Sequence, residues 1–458
     1  MFDPIEAVKE YIRFPSISTD PAYKAGMEGA RNHIAGILQR MGCEVEIVPA
    51  GLHPLVFAQR KGDPSWPHVI IYGHYDVQPA DPIEKWDTPP FEPVVKDGKL
   101  FARGAADNKG PQMVHVAAAA RLLEKHPNIP LRLSFLIEGE EEIGSPSFPD
   151  ILKRLRDRLN GDFILLSDNM SPNAEQIAIT CGFRGIVCIN AEVTGPKSDL
   201  HSGIHGGALL NPIQALVDLC ASLHTPDGRV NIPGFYDAVI PPVDWERAEV
   251  AKLPGTTEDY RQFLDIPAFH TIDGLTPQEA TRFMPTLEFN GIGSGYQGTG
   301  TKTVIPSKAI LKISCRLVAN QDTTIIEELV IKTLEERCSK KVSLNIQREH
   351  CGSPYRVVPP GRSDTPTDQN KHLVAAFQAA DKAITEVYGK PPLYTREGGS
   401  VPIISDLKKV TGMDSLMIGM FTPDSNLHAP NENLDLAMFL KGIDMSERIL
   451  AGVAGVSV

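Results

Sequence analysis

Apolar positions along this chain repeat in two rhythms, one with a helical spacing and one of short unbroken runs. Near the start, Ile5, Val8, Tyr11 and Ile12 share one face of a predicted amphipathic helix. A second helix is expected over about residues 28–41, and a strand at 44–48. Strand-length apolar runs then alternate with helical stretches: His68–Tyr72 (HVIIY), Leu131–Ile137 (LRLSFLI), Phe163–Leu166 (FILL) and Ser415–Met420 (SLMIGM). Between the first two lies Pro111–Lys125, an alanine-rich helix whose proline suits a first turn. Runs without alternation mark strands buried on both faces, so the pattern predicts an α/β mixed sheet with helices on both sides.

The texture changes near Ile186. Strands are expected at 186–193, 309–318 and 341–347, and helices at 212–223 and 323–337. This makes a small α+β unit inserted into the first. The long stretch between the first of these helices and the second strand, 224–308, is rich in Pro, Gly and Asp and is expected to form extended loops, the 233–284 loop among them. Beyond Gly352 comes a polar link, SPYRVVPPGRSDTPTDQ, and then a helix over about 371–388. The resulting organisation is 1–185 and 354–458 as two parts of one domain, interrupted by an inserted lid at 186–353. Gly293, Gly295 and Gly298 spell G-x-G-x-x-G, but a strand pattern follows, whereas a dinucleotide fingerprint must open a helix, so that reading is rejected.

Polar residues collect where the apolar runs end. HVIIY is followed by GHYD, LRLSFLI by EGEEEIGS, FILL by SDN, and the last run by FTPDSNLHAPNE. Open α/β sheets bind ligands beyond the carboxyl ends of their strands. Four strands thus deliver His74, a run of Glu140, Glu141 and Glu142, Asp168 and His428 to one edge, and the loop ARGAADNKG adds Asp107. Two imidazoles with three carboxylates form the nitrogen–oxygen donor set for two zinc ions sharing a bridging carboxylate. Within the glutamate run, one carboxylate can bind metal while a neighbour serves as general base, and Asp76 can orient His74.

Bulk properties narrow the options further. The net charge of −12 over 458 residues argues against nucleic-acid binding, which needs a basic face. The acidic start does not read as a signal peptide, and no run of about eighteen apolar residues suggests a membrane span. Seven scattered cysteines without a C-x-x-C suit a reducing cytoplasm and leave any metal to His and carboxylate ligands.

GHYDVQP, KWDTPPFEP, ARGAADNKG, EGEEEIGS, SDN, DLHSGIHGG and TREGGSVP occur in this order over nearly the whole chain. Together they resemble the zinc exopeptidase family that includes carnosinase, cytosolic non-specific dipeptidase, aminoacylase and glutamate carboxypeptidase. GTKTVIP and the following RLV segment resemble its dipeptidase branch most. The resemblance implies one zinc on His74 and Asp168, a second on Glu142 and His428, and Asp107 bridging them; manganese or cobalt could replace zinc. It implies Glu141 as general base acting on a water shared by the metals, Asp76 as the support of His74, and His201 as an oxyanion-stabilising residue working across a homodimer formed by the lid. It assigns Thr303, Arg316 and Ser400 to the substrate's carboxylate end and backbone. Relatives often have a smaller or apolar residue where this chain has Glu140, and the 233–284 segment matches no motif. An Asp at position 168 tends in the family to accompany substrates with a free amino terminus, which favours dipeptides or other small peptides. The alternatives are an N-acyl amino acid deacylase with the same metals and, from another class, a catalytically silent metal- or peptide-binding relative.

Overall fold

The computed structural model describes residues 3–272, 274–399 and 401–458. Its larger sheet has nine strands. Four of them, Arg132–Glu138, His68–His74, Phe163–Leu166 and Ser415–Ile418, lie side by side and parallel in that order. Leu55–Arg60 and Glu44–Val48 extend the sheet antiparallel on one side; Ala178–Phe183 continues it on the other. All seven residues of His68–His74 are buried. Successive strand residues point to opposite faces, so complete burial means that both faces are covered. The cover includes the helices Lys109–Lys125, Lys371–Tyr388 and Leu436–Val453, which share one core with the sheet. The mixed α/β fold read from the apolar runs is therefore the fold observed.

The second sheet is antiparallel, in the order Thr286–Ser294, Lys308–Leu317, Gly185–Thr194, Ser343–Gly352. Gly185–Thr194 alternates buried and half-buried residues along its length, the signature of a sheet packed on one face. Helices Pro212–Ser222 and Thr323–Arg337 pack there around a separate core that includes Val187, Leu219, Leu311 and Val330.

Two expectations need correction. The 233–284 stretch is not only extended loop: it contains three short helices, Asp244–Val250, Thr257–Phe263 and Pro277–Phe283. Two of these start with a Thr whose hydroxyl accepts the backbone N–H of an acidic residue three positions on, Asp259 and Glu279. Those boxes stabilise helices too short to show an apolar period. The second helix also starts earlier than expected, at Lys24. Among the described residues no helix is long and apolar enough to cross a membrane, and all seven cysteines are unpaired.

Candidate active site

His74 is the last residue of its strand and fully buried. Its carbonyl accepts from Gln112 Nε2 at 3.1 Å, which ties the strand end to the helix behind it. Its Nδ1 lies 3.1 Å from the Asp76 carbonyl and 3.3 Å from Asp76 Oδ1. A proton held on Nδ1 by the Asp76 carbonyl leaves the Nε2 lone pair facing forward, as metal ligation requires. Asp76 is itself fixed, since its Oδ2 accepts the Glu142 N–H at 3.1 Å.

Asp107 stands between the two imidazoles. Its Oδ1 is 3.2 Å from His74 Nε2 and its Oδ2 is 2.9 Å from His428 Nε2. Asp168 Oδ2 approaches His74 Nε2 at 3.8 Å, while Glu142 Oε2 approaches His428 Nε2 at 3.4 Å. His428 does not follow its strand directly; it sits in a turn between Asn426 and Asn431, all three with left-handed backbone. Each carboxylate in turn has a support: Asn108 Nδ2 donates to Asp168 Oδ1 at 3.0 Å, and Gln78 Nε2 to Glu142 Oε2 at 2.9 Å.

The three glutamates of EGEEEIGS part company. Glu140 points away: Oε1 accepts the Leu52 and His53 N–H groups, and Oε2 that of Ser147. It anchors the 51–53 loop and has no capacity left for chemistry. Glu141 and Glu142 turn toward the cluster. Burial pushes both carboxyls well above the usual range, reinforced by Asp107 and Asp76 next to each and by Asp168 beside Glu141. Burial likewise lifts Asp168 to about 6. Asp107 goes the other way: burial would raise it, but the His428 and His74 imidazoles outweigh that and hold it far below the ordinary carboxylate range.

Crowding this many carboxylates in a dry space is costly unless positive charge is added. Three atoms of the cluster also lie buried without a hydrogen-bond partner, His74 Nε2, Asp76 Oδ1 and Glu142 Oε1. Both observations fit divalent cations. His74, Asp107 and Glu142 offer ligand atoms that all lie within 4.8 Å of one another, a possible metal site. The donors are hard or borderline, suited to zinc and equally to manganese or cobalt.

The lid residues lie elsewhere. His201 and Thr303 come together, because the short strands Leu200–His201 and Val304–Ile305 pair and the Ser202 N–H donates to the Thr303 carbonyl. Both are exposed, and the His201 Nδ1 accepts only from the Gly203 N–H. Among the described residues, no hydrogen bond or ion pair joins either of them to the cluster. Arg316, half-buried, lies in the lid sheet opposite Thr286 and Ile186. Ser400 lies outside the described residues.

The residue most conspicuously missed from sequence is Glu432. It is fully buried; Oε1 accepts the N–H groups of Ala106 and Asp107, and Oε2 accepts that of Gly104 and pairs with Arg103 at 2.8 Å. It thus fixes the backbone that presents Asp107. Its local text, HAPNEN, gives no hint of a partner more than three hundred positions away.

A histidine–carboxylate cluster at the carboxyl edge of a mixed sheet, buried except at the exposed His428, defines a metal-dependent hydrolase. The model of peptidase family M20/M25/M40 matches residues 70–452, and the chain belongs to that family. Among similar proteins, the Cys-Gly metallodipeptidase dug1 of Schizosaccharomyces pombe is 31% identical, covering 97% of this chain and 94% of that one. The Beta-Ala-His dipeptidase of Homo sapiens is 31% identical, covering 96% and 87%. The crystal structure of the metallo-carboxypeptidase Sso-CP2 from Sulfolobus solfataricus superposes with a TM-score of 0.84 at 27% identity, covering 100% of both chains.

Proposed function

We propose that this enzyme hydrolyses the amide bond of dipeptides or other small peptides with two zinc ions. The observation that carries the reading is Asp107, whose two oxygens each face a different imidazole. That is the disposition of a carboxylate shared by two cations. One ion would be held by His74 and Asp168, the other by Glu142 and His428, and manganese or cobalt would suit the same donors. When bound, such a pair lowers the pKa of water and polarises a carbonyl.

The chain's own residues supply the rest. Asp76 keeps the His74 tautomer. Among the described residues the Glu141 carboxylate has no hydrogen-bond donor to satisfy, and it lies against the cluster, so it is assigned as the general base. It takes a proton from the attacking water as the C–O bond forms, then delivers it to the amine nitrogen as the C–N bond breaks. His201 is assigned to stabilise the oxyanion from the lid of a second copy in a homodimer, because in its own chain it faces solvent. Thr303, Arg316 and Ser400 are assigned to the substrate's backbone and carboxylate. The boundaries near 185 and 353 divide a catalytic domain in two parts from this lid. Seven unpaired thiols suit a reducing cytoplasm.

The Schizosaccharomyces pombe and human relatives are named as dipeptidases, and this supports dipeptides over N-acyl amino acids. The test is turnover of unblocked dipeptides, a tripeptide and N-acetyl amino acids by enzyme of measured metal content. Cleavage of the unblocked peptides, lost on chelation and regained with zinc, is expected. Activity confined to the acetylated set makes the enzyme a deacylase, and silence across the panel leaves a binding protein.

A further inference from the structure

A lysine is almost never buried whole unless its charge is paired, yet Lys109 is fully buried. It opens the helix Lys109–Lys125, just beyond Asp107 and Asn108. Its ammonium donates to the Tyr11 carbonyl at 3.1 Å and to that of Phe14 at 2.9 Å, and it sits 5.1 Å from the centre of the Tyr11 ring. Backbone acceptors and a ring face satisfy the cation here in place of a carboxylate. The carboxylates whose charge reaches it are Glu432 and Asp76, the supports of Asp107 and His74.

The two carbonyls belong to the stretch that leads from the first helix, Pro4–Ile12, past the end of the His74 strand. Ser16 brackets Asp76: its Oγ donates to the Tyr75 carbonyl at 2.6 Å, and its own carbonyl accepts the Val77 N–H at 2.9 Å. Tyr11 reaches the same strand end by another route. Its hydroxyl donates to Gln112 Oε1 at 3.2 Å, while Gln112 Nε2 holds the His74 carbonyl. Behind the stretch, the helix Lys24–Arg40 comes close through two glycines. A Cβ on Gly26 would stand 2.1 Å from the Pro15 carbonyl oxygen, and one on Gly29 2.2 Å from the Phe14 ring. Residues 11–17 are thus clamped from behind and bonded in front to the backbone on both sides of Asp76. Lys109 ties them to the start of the helix that follows Asp107.

We propose that Lys109 is a positioning residue that keeps the 74–76 backbone in register with the Asp107 loop, and so sets how well His74 and Asp107 share one zinc ion. The inference rests on the two-zinc reading above. Outer supports of metal ligands govern affinity by roughly 10- to 100-fold, and Lys109, acting at one remove, belongs at the lower end. The sign of the effect separates position from charge. Removing a positive charge beside a cation site favours the cation by Coulomb's law. Weaker zinc binding after loss of the ammonium therefore has to come through geometry.

The test is stepwise zinc affinity, measured by competition with a chelating dye on wild type, Lys109→Met, Ser16→Ala and the double variant. In Lys109→Met one of the two zinc ions is expected to bind roughly tenfold more weakly, with the other little changed. Ser16→Ala, a milder cut at the far end of the same stretch, should weaken the same ion by less. The double variant should be no worse than Lys109→Met, since parts of one brace do not add. Unchanged or tighter zinc in Lys109→Met, even with a lower Tm, overturns the proposal, as does a loss shared equally by both ions or losses that add. Should Lys109→Met not fold, Ser16→Ala decides by whether it weakens one ion. Amide exchange at Val77 reads the brace in metal-free protein, where it should be faster in Lys109→Met than in wild type; equal exchange overturns the proposal too. A wild type that binds fewer than two zinc ions breaks the two-zinc reading and not the register, which Val77 exchange still reports.

Discussion

The strand-end cluster and the His201 loop contain the same residue types in opposite surroundings. In the cluster, His74 and Asp76 are fully buried and Asp107 is 7% exposed, while His428 reaches solvent from its turn. Its carboxylates and imidazoles are aimed by neighbours such as Gln112, Asn108, Gln78 and Glu432. In the loop, His201 is exposed among glycines, and Ile204 beside it is 72% exposed. A buried, braced cluster is preorganised: its groups are already where developing charge will need them. An exposed imidazole on a two-residue ribbon is not, and it can act only when another surface brings substrate to it. On the function proposed above, one region is complete within the chain and the other gains its role from what covers it.

Breaking the complete region should produce the largest effect. Glu141→Gln removes the proposed base but keeps size and backbone, and among the described residues no hydrogen bond depends on its carboxylate. A fall in kcat of roughly 100- to 10,000-fold is expected, with metal content and Tm unchanged. Activity near wild type would show that another group moves the proton.

Glu432→Gln attacks the same region from behind. The variant leaves Arg103, 1% exposed as a side chain, without its counter-charge. Loss of one partner in a buried pair costs about 3 kcal/mol or more, so Tm and denaturant midpoint should drop. Metal affinity should drop as well, since the backbone of Gly104–Asp107 loses its cradle. A stable variant with full metal content would reduce Glu432 to a bystander.

For the incomplete region the effect is smaller and its pattern matters more. His201→Ala should lower kcat by roughly 10- to 100-fold with little change in KM or Tm, as for a donor that acts on the transition state. Mixing it with Glu141→Gln protomers should restore part of the activity, because one site then has an intact base and a histidine from its neighbour. No rescue despite demonstrated subunit exchange would confine His201 to its own chain.

These two regions also explain what could be read in the sequence. Strand-end residues were legible because an apolar run fixes where a strand stops, and a sheet gathers those stops along one edge. Glu140, Glu141 and Glu142 were legible only as a run. Their division of labour depends on the turn that sends Glu140 back to the 51–53 loop, which no periodicity encodes. Glu432 was invisible because backbone N–H groups from a distant loop recognise it, and those carry no side-chain signature. The helices of the 233–284 segment were hidden by their brevity, although Thr256 with Asp259 and Thr276 with Glu279 spell capping boxes.

The contrast between buried and exposed histidines extends to pH, where the expected effect is smallest. His68 opens the central strand with its Nδ1 3.2 Å from the Asn160 carbonyl and its Nε2 2.8 Å from Ser134 Oγ. Burial, with Arg132 nearby, lowers it to about 4 from an ordinary 6.5. Above pH 6.5 it is neutral in both folded and unfolded chains and pH has no leverage on it. Between 6.5 and about 4 the unfolded chain binds a proton that the folded one refuses, so stability falls as pH falls. The slope for one such proton is about 1.4 kcal/mol per pH unit, flattening once the folded imidazole also protonates. His68→Gln cannot take up that proton. It should lose less stability than wild type across this window in denaturant titrations, even if it starts lower at pH 7. His201→Ala leaves His68 and its partners in place, so it should track wild type along the same ramp. Equal acid sensitivity of all three proteins would mean that carboxylates alone set the response.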